Sequence, residues 1–305
     1  MAIYLTLDGG TTNTRLYLAK DGEVLSSLAL PVGAGRTEGA EYRATIAKGA
    51  ERILAEAGVA AADVAAFLAS GMVTSERGLC EVPHLPAPAG LTELRRGLVT
   101  VFLPNFPLPV TLIPGVKKKG ARAEETDMMR GEETEIMGLS VRGTVILPGS
   151  HTKVIRLDGE GRIADFSTLL TGEMIAALSG HTILAHAVKL GTEPDPSALL
   201  RGAEAAERLG LSAALFKTRI LTTQFGATPE EALGFFLGCL LSEEVKAVKA
   251  VTPDRDTPIT VAGKEALKRP IAALLEEKGY TVRCATNEEV EASTVRGAVR
   301  IFEAE

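Results

Sequence analysis

The sequence predicts an α/β protein of two lobes, each a copy of a βββαβαβα unit. Two observations carry this prediction: one short pattern occurs twice, at residues 7–15 and 147–153, and each copy opens a run of three strands. The 305 residues are enough for two domains. We expect a first lobe over 1–142 and a second lobe over 143–288, with the active-site cleft between them. A closing helix over 289–305 is expected to pack back on the first lobe.

Hydropathy patterns and turn signals give the elements of the first lobe in order. The Asp21-Gly22 pair between two apolar runs is a strong hairpin signal, and Gly58 is a stop for the helix before it. The Gly- and Pro-rich residues 71–109 predict an excursion over the surface. The predicted elements are strands 2–7, 15–20, 23–30, 64–69 and 110–113 and helices 38–57 and 124–138.

The second lobe repeats this order with a helical insertion after its third strand. Three strands are expected between residues 143 and 167. The predicted elements after them are helices 170–189, 197–209, 212–224 and 229–251, strand 258–262, helix 264–278, strand 281–285 and helix 288–304.

The composition narrows the class of protein. A hydrophobic share of 46% is ordinary for a globular enzyme, and a net charge of −6 argues against a general nucleic-acid binder. No apolar run is long enough for a membrane span. The three cysteines are far apart and form no CxxC pair, which is typical of a cytoplasmic protein without disulfides or a zinc site. We expect small-molecule partners in the cytoplasm.

The first copy of the repeated pattern is the strongest single motif. Residues 8–15 read Asp-Gly-Gly-Thr-Thr-Asn-Thr-Arg, and a strand ending in glycines and hydroxyls clusters backbone N–H groups into a nest for phosphate oxygens. Asp8, at the strand end, could hold Mg²⁺ through water. A plain glycine-rich hairpin, with Arg15 as a structural ion-pair partner, is the alternative. The predicted phosphate contacts are Gly9, Gly10, Thr11, Thr12, Asn13, Thr14 and Arg15.

The second copy supplies a second nest. Two such nests facing each other across a cleft would hold a polyphosphate from both sides. His151 carries less weight than its neighbours, because a lone loop histidine is more often simply hydrogen-bonded. The predicted phosphate contacts are Gly149, Ser150, His151, Thr152 and Lys153.

A third motif lies between the two nests, at residues 127–133. On the predicted helix 124–138, Asp127, Arg130 and Thr134 share one face. Asp127 near the helix start is either an N-terminal cap or a general base that accepts a hydroxyl proton during phosphoryl transfer. Its position between the two phosphate loops favours the base.

Three weaker signals are left open. The loop at 71–78 either lines a substrate pocket or is an ordinary surface loop. Residues 171–173 open a helix as a cap or contact a ligand. Gly263, at a strand-to-helix turn, either lets a nucleotide base approach the backbone or serves packing alone. His181 and His186 have poor spacing for a shared metal.

These motifs together resemble the 2-keto-3-deoxygalactonate kinases, a family of the sugar kinase, Hsp70 and actin superfamily. The resemblance covers nearly the whole chain. The Arg-Gly-Glu-Glu block at 130–133 and the Pro-Gly-Ser-His-Thr-Lys block at 148–153 are its most specific carriers. It implies a ribonuclease H-like, actin-like ATPase fold and an ATP- and Mg²⁺-dependent kinase acting on the C6 hydroxyl of 2-keto-3-deoxygalactonate.

The resemblance also implies roles for individual residues. In sugar kinases of this fold the catalytic aspartate shortly precedes the second phosphate loop, and Asp127 occupies that place. The anionic substrate needs donors, of which Arg130 is the best supported. The expected substrate-binding residues are Met72, Ser75, Arg77, Arg130, Glu132, Glu133 and Glu173.

In the expected substrate loop the family usually has Gly-Ser-Arg-Gln-Gly-Trp, whereas residues 74–79 of this chain read Thr-Ser-Glu-Arg-Gly-Leu, and the chain has no tryptophan. The sugar acid therefore stays open between 2-keto-3-deoxygalactonate and a related acid such as 2-keto-3-deoxygluconate. A non-catalytic, nucleotide-dependent sugar sensor and an Hsp70- or actin-like assembly protein are the alternatives from other classes. The oligomeric state is left open, with a homodimer as one alternative.

Overall fold

Two sheets with the same central strand order, one early and one late in the chain, organise the fold. The computed structural model describes residues 2–35, 37, 39–252, 254–263 and 265–305. Glu38 and Lys264, the first residues of two predicted helices, lie outside the described residues. The first unit contains Met1–Val141, Asp158–Ala164 and Glu288–Glu305, and the second contains Arg142–Leu157 and Asp165–Asn287.

The strands of the first unit form one large and one small sheet. They are β1 (Ile3–Gly9), β2 (Thr14–Lys20), β3 (Glu23–Leu30), β4 (Val64–Gly71), β5 (Leu85–Pro86), β6 (Val99–Phe102), β7 (Pro109–Leu112), β8 (Val116–Lys118) and β9 (Asp127–Met129). The large sheet has the order β3-β2-β1-β4-β7-β6, and the small one has the order β5-β8-β9. In the large sheet β1 is antiparallel to β2 and parallel to β4.

Helices cover both faces of the large sheet. They are α1 (Gly39–Ala57), α2 (Leu91–Arg96) and α3 (Glu132–Leu139), followed much later in the chain by a closing helix, Asn287–Glu303. Alternate residues of β1 and β2, such as Leu5 and Leu16, pack in one core with Tyr42 and Ile46 of α1. The opposite face carries Tyr4, whose hydroxyl donates to Oε1 of Glu303 at 2.6 Å.

The second unit repeats the strand order 3-2-1-4-5 of the first. Its sheet has the order β12-β11-β10-β13-β14, formed by β10 (Thr144–Leu147), β11 (Thr152–Leu157), β12 (Ile163–Leu169), β13 (Ile259–Val261) and β14 (Val282–Cys284). The first two residues of β12, Ile163 and Ala164, are assigned to the first unit. The helices of the second unit are α4 (Thr171–His181), α5 (Pro196–Leu209), α6 (Leu211–Gln224), α7 (Pro229–Val251) and α8 (Glu265–Glu277), so the closing helix Asn287–Glu303 is α9. The fold class predicted from the repeated pattern is confirmed.

The long helix α7 forms the centre of the second core. It begins with a capping box, in which Thr228 accepts from the Glu231 N–H and Glu231 Oε2 accepts from the Thr228 N–H. Pro229 at its first position has a ring that already fixes a helical φ. Phe236 and Leu240 of α7 pack in one cluster with the inner residues of the β10–β11 hairpin.

The predicted helix over 124–138 is wrong in its first half. Only Glu132–Leu139 is α-helical, and Asp127–Met129 is a strand whose partner is β8. Gly131 has φ +112°, a left-handed conformation that separates the strand from the helix. The strand pairing is a contact with residues about ten positions earlier, which helical periodicity does not detect.

Two further differences are smaller. The helix predicted over 170–189 ends at His181 and is followed by a short 3-10 turn, Ile183–His186. The excursion at 71–109 contributes β6, which pairs antiparallel with β7 at the sheet edge. Among the described residues, no helix combines the length and the apolar character that crossing a membrane requires.

Candidate active site

The predicted first phosphate loop is the turn between β1 and β2, and it is tightly built. The Gly10 N–H donates to the carbonyl of Asn13 at 2.9 Å and closes the turn. The segment at 33–35 covers one side, where the Gly35 N–H donates to the Thr11 carbonyl at 3.0 Å. Gly9 packs against Val73 so closely that a Cβ would overlap the valine side chain. The loop is therefore fixed by its surroundings, with Thr11 and Asn13 exposed.

Asp8 lies at the base of this loop, within a group of like charges. It is directly opposite Arg15 in the antiparallel β1–β2 ladder, so both side chains are on the same face of the sheet. Burial raises the pKa of the Asp8 carboxyl, the Arg15 guanidinium opposes this rise, and Glu132 of α3 adds to it. A carboxylate in this environment gains most from a cation or a proton donor beside it.

Glu135, which the sequence analysis did not select, belongs to the same group. Burial, Glu132 and Asp8 together raise the pKa of its carboxyl to about 8. The acidic cluster is thus Asp8, Glu132 and Glu135, with Arg15 as the cation that acts on Asp8. The spacing of Glu132 and Glu135, one helical turn apart on α3, was the available signal.

Helix α3, which carries Glu132 and Glu135, packs closely on α9. Gly138 of α3 and Gly297 of α9 meet backbone to backbone, since a Cβ on either would overlap main-chain atoms of the other helix. The Arg300 guanidinium of α9 also donates to the Met137 carbonyl at the end of α3. The first turn of α3, which carries the carboxylates, is therefore on a fixed element.

Asp127 lies outside a helix, contrary to the prediction. It is the first residue of β9, opposite Lys118 of β8, and its Oδ1 accepts from the Met128 N–H at 2.7 Å. The shared helix face with Arg130 and Thr134 does not exist, because Arg130 precedes α3. Its assignment as the base then depends on its place in the chain and stays a prediction.

Arg130 is directed at the loop after β4. Its guanidinium donates to the carbonyl and hydroxyl of Thr74, to the Val82 carbonyl at 3.2 Å and to His84 Nδ1 at 3.2 Å. Burial, Arg130 and Lys117 lower the pKa of His84 to about 4, so the ring is neutral near pH 7 and accepts from Arg130. Arg130 thus organises the predicted substrate loop, and its contact with the substrate stays a prediction.

The two glutamates after Arg130 hold the start of α3. Glu132 Oε2 accepts from the Arg130 N–H at 3.0 Å, and both carboxylate oxygens of Glu133 accept from the Gly131 N–H at 2.8 and 2.9 Å. Glu133 is fully buried, and burial together with Glu132 raises the pKa of its carboxyl to about 8. Glu133 therefore braces the backbone at Gly131.

The predicted substrate loop after β4 opens with a 3-10 turn, Met72–Thr74. The Ser75 hydroxyl donates to the Met72 carbonyl at 2.7 Å, and Arg77 is exposed. Leu79 is fully buried. Of the residues that depart from the family pattern in this loop, Glu76 and Arg77 are exposed, whereas Thr74 and Leu79 are buried.

The second phosphate loop, between β10 and β11, is braced by the start of α4. The Glu173 N–H donates to the Ser150 carbonyl at 3.2 Å, and Glu173 Oε1 lies 2.9 Å from His151 Nε2. Gly172 packs directly on the Gly149 carbonyl. Glu173, predicted as a substrate contact, is thus placed beside the phosphate loop of its own unit.

Residues at the two ends of this loop differ in exposure. Ser150 and His151 are exposed, whereas Thr152 and Lys153 are buried.

Gly263, with φ +95°, packs on the Pro148 carbonyl at the strand-to-helix turn after β13. Its left-handed backbone requires glycine, which supports a close approach of backbone to backbone there.

The site fits a magnesium ion in the manner usual for kinases. Mg²⁺ keeps several waters and is held by one or two carboxylates together with substrate phosphates. The Asp8 carboxylate, beside Glu132 and the phosphate loop, provides that donor type. Within the described ranges, no group of three or more His, Cys, Asp or Glu side chains could hold a metal ion without such further ligands.

Comparisons with known proteins agree with one another. The sequence profile described as 2-keto-3-deoxy-galactonokinase matches residues 8–301. The chain is 28% identical to a protein of Rhizobium meliloti strain 1021 named as a probable 2-dehydro-3-deoxygalactonokinase, over 97% of this chain and 96% of that relative. It is 27% identical to the 2-dehydro-3-deoxygalactonokinase of Escherichia coli K12, over 88% of each chain.

Solved structures give the same result. A protein of Sinorhizobium meliloti, provisionally named a 2-dehydro-3-deoxygalactonokinase, superposes with a TM-score of 0.79 at 25% identity, over 98% of this chain and 99% of that one. The (R)-2-hydroxyglutaryl-CoA dehydratase component A of Acidaminococcus fermentans superposes with a TM-score of 0.55 at 16% identity, which shows the shared fold alone. The chain belongs to the 2-keto-3-deoxy-galactonokinase family and is a sugar-acid kinase with the actin-like ATPase and sugar kinase fold.

Proposed function

We propose that this enzyme transfers the γ-phosphoryl group of ATP to the C6 hydroxyl of 2-keto-3-deoxygalactonate. The products are 2-keto-3-deoxy-6-phosphogalactonate and ADP. The observation that carries the proposal is the β1–β2 loop, where the Asp8 carboxylate stands at the base of a tight turn of glycines and hydroxyls. The relatives from Rhizobium meliloti and Escherichia coli are named for this substrate.

In the proposed reaction the C6 oxygen forms a bond to the γ-phosphorus while the bond to the leaving ADP oxygen breaks. Most of the acceleration comes from positioning and charge stabilisation, because phosphoryl transfer asks for little covalent chemistry from the protein. The exposed Ser150 and His151 of the second loop would donate to phosphate oxygens. Asp8 would hold Mg²⁺ through water, and the bound ion would neutralise charge on the phosphates.

The hydroxyl proton must leave as the new bond forms, and we propose Asp127 as its acceptor. Asp127→Asn keeps the shape of the side chain and removes the basic oxygen, so kcat should fall about 100-fold or more. Glu124→Gln is a matched control, because Glu124 is exposed, lies three residues before Asp127 and forms an ion pair with exposed Arg122. Normal turnover by a folded Asp127→Asn enzyme would show that another group accepts the proton.

The choice of sugar acid is tested by a coupled ADP-release assay with ATP and Mg²⁺. We expect strong stimulation by 2-keto-3-deoxygalactonate and weak stimulation by its C4 epimer, 2-keto-3-deoxygluconate. Glu76 and Arg77, the exposed residues at which this loop departs from the family pattern, make the epimer the second candidate. Preference for the epimer would overturn the proposed substrate and leave the kinase chemistry in place.

A further inference from the structure

A buried carboxyl lies behind the second phosphate loop. Glu244 of α7 is fully buried, in a helix whose other buried residues, Ser242 apart, are apolar. Neither of its carboxylate oxygens has a hydrogen-bond partner of ordinary geometry among the described residues, and the same is true of the buried Thr152 hydroxyl. Burying such groups without partners is costly, so their retention calls for a reason.

Two threonines connect this carboxyl to the ends of the loop. Thr152 is the first residue of β11, directly after the loop, and Thr171 is the first residue of α4. Burial raises the pKa of the Glu244 carboxyl to about 7, and the Thr171 and Thr152 hydroxyls oppose this rise. All three side chains are buried, and α7, which carries Glu244, packs against both β11 and α4, so we treat the three as one polar cluster.

The cluster reaches the loop backbone from both sides. After Thr171, Gly172 packs on the Gly149 carbonyl, and the Glu173 N–H donates to the Ser150 carbonyl. On the other side, Thr152 continues directly from His151. A small movement of α4 or of β11 relative to Glu244 must therefore move the loop residues that carry the phosphate donors.

We propose that Glu244 is a positioning residue of the second phosphate loop: its carboxyl receives the Thr152 and Thr171 hydroxyls and so sets the backbone that binds the phosphates of ATP. The inference rests on the proposed function in one respect, namely that this loop binds nucleotide. It predicts an effect on nucleotide binding that a general packing role would not produce, because the predicted sugar-binding residues other than Glu173 are on the first unit.

The test measures nucleotide and sugar-acid binding separately in the full-length protein. Glu244→Gln and Thr171→Val should each weaken binding of a non-hydrolysable ATP analogue about 10-fold, measured by titration calorimetry. The KM for the sugar acid should change less than 2-fold. Thr171→Ser keeps the hydroxyl that Thr171→Val removes, so it should bind the ATP analogue as the wild type does.

A control variant and a direct binding measurement separate the outcomes. Glu243→Gln changes the adjacent glutamate, whose carboxylate contacts Lys246 on the surface, and should leave both constants unchanged. Unchanged analogue binding in Glu244→Gln and Thr171→Val would overturn the inference, as would an equal loss of both affinities. A wild-type protein that binds the analogue but phosphorylates no keto-deoxy acid would overturn the proposed substrate alone. Absence of analogue binding by the wild type would overturn both.

Discussion

The two phosphate loops occupy the same place in duplicated sheets, yet they differ in charge and in packing. The first loop follows Asp8, whereas the second follows Pro148 at the matching position. A Cβ on Gly9 would overlap Val73, while a Cβ on Gly149 would meet only one atom, at the ordinary distance of 3.8 Å. The glycine that opens the hairpin is thus enclosed and follows a carboxylate in one unit, whereas in the other it has open space and follows a proline.

This difference indicates a division of roles within one duplicated scaffold. The first loop has Asp8 at its base, and Glu132 and Glu135 of α3 act on or are acted on by that carboxylate, so this group could act on a metal or a proton. The second loop keeps its carboxyl, Glu244, in the core behind it. Function follows the side chains placed around a loop and cannot be inferred from the loop geometry alone.

The largest expected effect is that of removing the charge from the first loop. Asp8→Asn should lower kcat about 100- to 1000-fold, the size of effect found when a group that stabilises transition-state charge is lost. Binding of the ATP analogue should change much less, because the second loop keeps its donors. Steady-state kinetics with calorimetry on the same preparation measures both.

Asp21→Asn is the control for this variant, since Asp21 lies in the exposed turn between β2 and β3 of the same unit. If Asp8→Asn weakened analogue binding as strongly as it lowered kcat, the two loops would not differ in role as proposed.

The buried carboxyl of the second unit should make stability depend on pH. The pKa of Glu244 is about 7 in the folded protein against an ordinary 4.5, so the folded state keeps a proton that the unfolded state releases. Its contribution to the free energy of unfolding therefore falls as pH rises from 4.5 to 7, by roughly 3 kcal/mol in total. Glu244→Gln removes this fall, so its stability relative to wild type should be higher at pH 8 than at pH 5.

Urea unfolding of both proteins at the two pH values measures the difference. Glu133 and Glu135, whose pKa values are also raised, remain in both proteins and cancel. The groups that face Glu244 are Thr152, Thr171 and Glu243. An equal stability difference at pH 5 and pH 8 would mean that Glu244 does not titrate in this range.

How far the sequence predicts this protein depends on the range of the contacts involved. Strand alternation, the Asp21-Gly22 turn and the capped start of α7 are local signals, and the elements they predict are present in the structure. The prediction that Asp127 lies on a helix was wrong, because β9 is formed by pairing with β8 and is separated from α3 by the left-handed Gly131. Helical spacing within one segment carries no information about either.

The residues of the candidate site also divide into those that local sequence signals predict and those that depend on contacts between distant parts of the chain. Both turns could be predicted because a short run of glycines and hydroxyls is a local signal, and their binding of phosphate stays a prediction. Glu135 and Glu244 were missed because their raised pKa values come from burial and from residues elsewhere in the chain. Arg130 was found, but its contacts with Thr74 and His84 depend on the tertiary fold.

The brace of the second loop can be tested with two glycines of the same helix. Gly172→Ala places a methyl group against the Gly149 carbonyl, so α4 must shift, at a cost of about 2 kcal/mol. Gly180→Ala, in the last turn of α4, has no atom within 4 Å of the new methyl and should be neutral or stabilising by up to about 1 kcal/mol. Thermal unfolding compares the two, and only Gly172→Ala should also weaken binding of the ATP analogue. Equal behaviour of the two variants would show that α4 does not brace the loop.

The smallest expected effect comes from placing a methyl group on the first glycine of each loop, which compares the two loops directly. Gly9→Ala should destabilise the protein by about 1–2 kcal/mol, because the methyl group overlaps Val73 in a well-packed core. Gly149→Ala should leave stability within about 0.5 kcal/mol, since the new methyl makes only an ordinary contact. It should nevertheless weaken binding of the ATP analogue several-fold, because the methyl group occupies the open side that a phosphate would approach. If Gly149→Ala bound the analogue normally, the open space beside Gly149 would not be a phosphate site, and the contrast between the loops would be one of packing only.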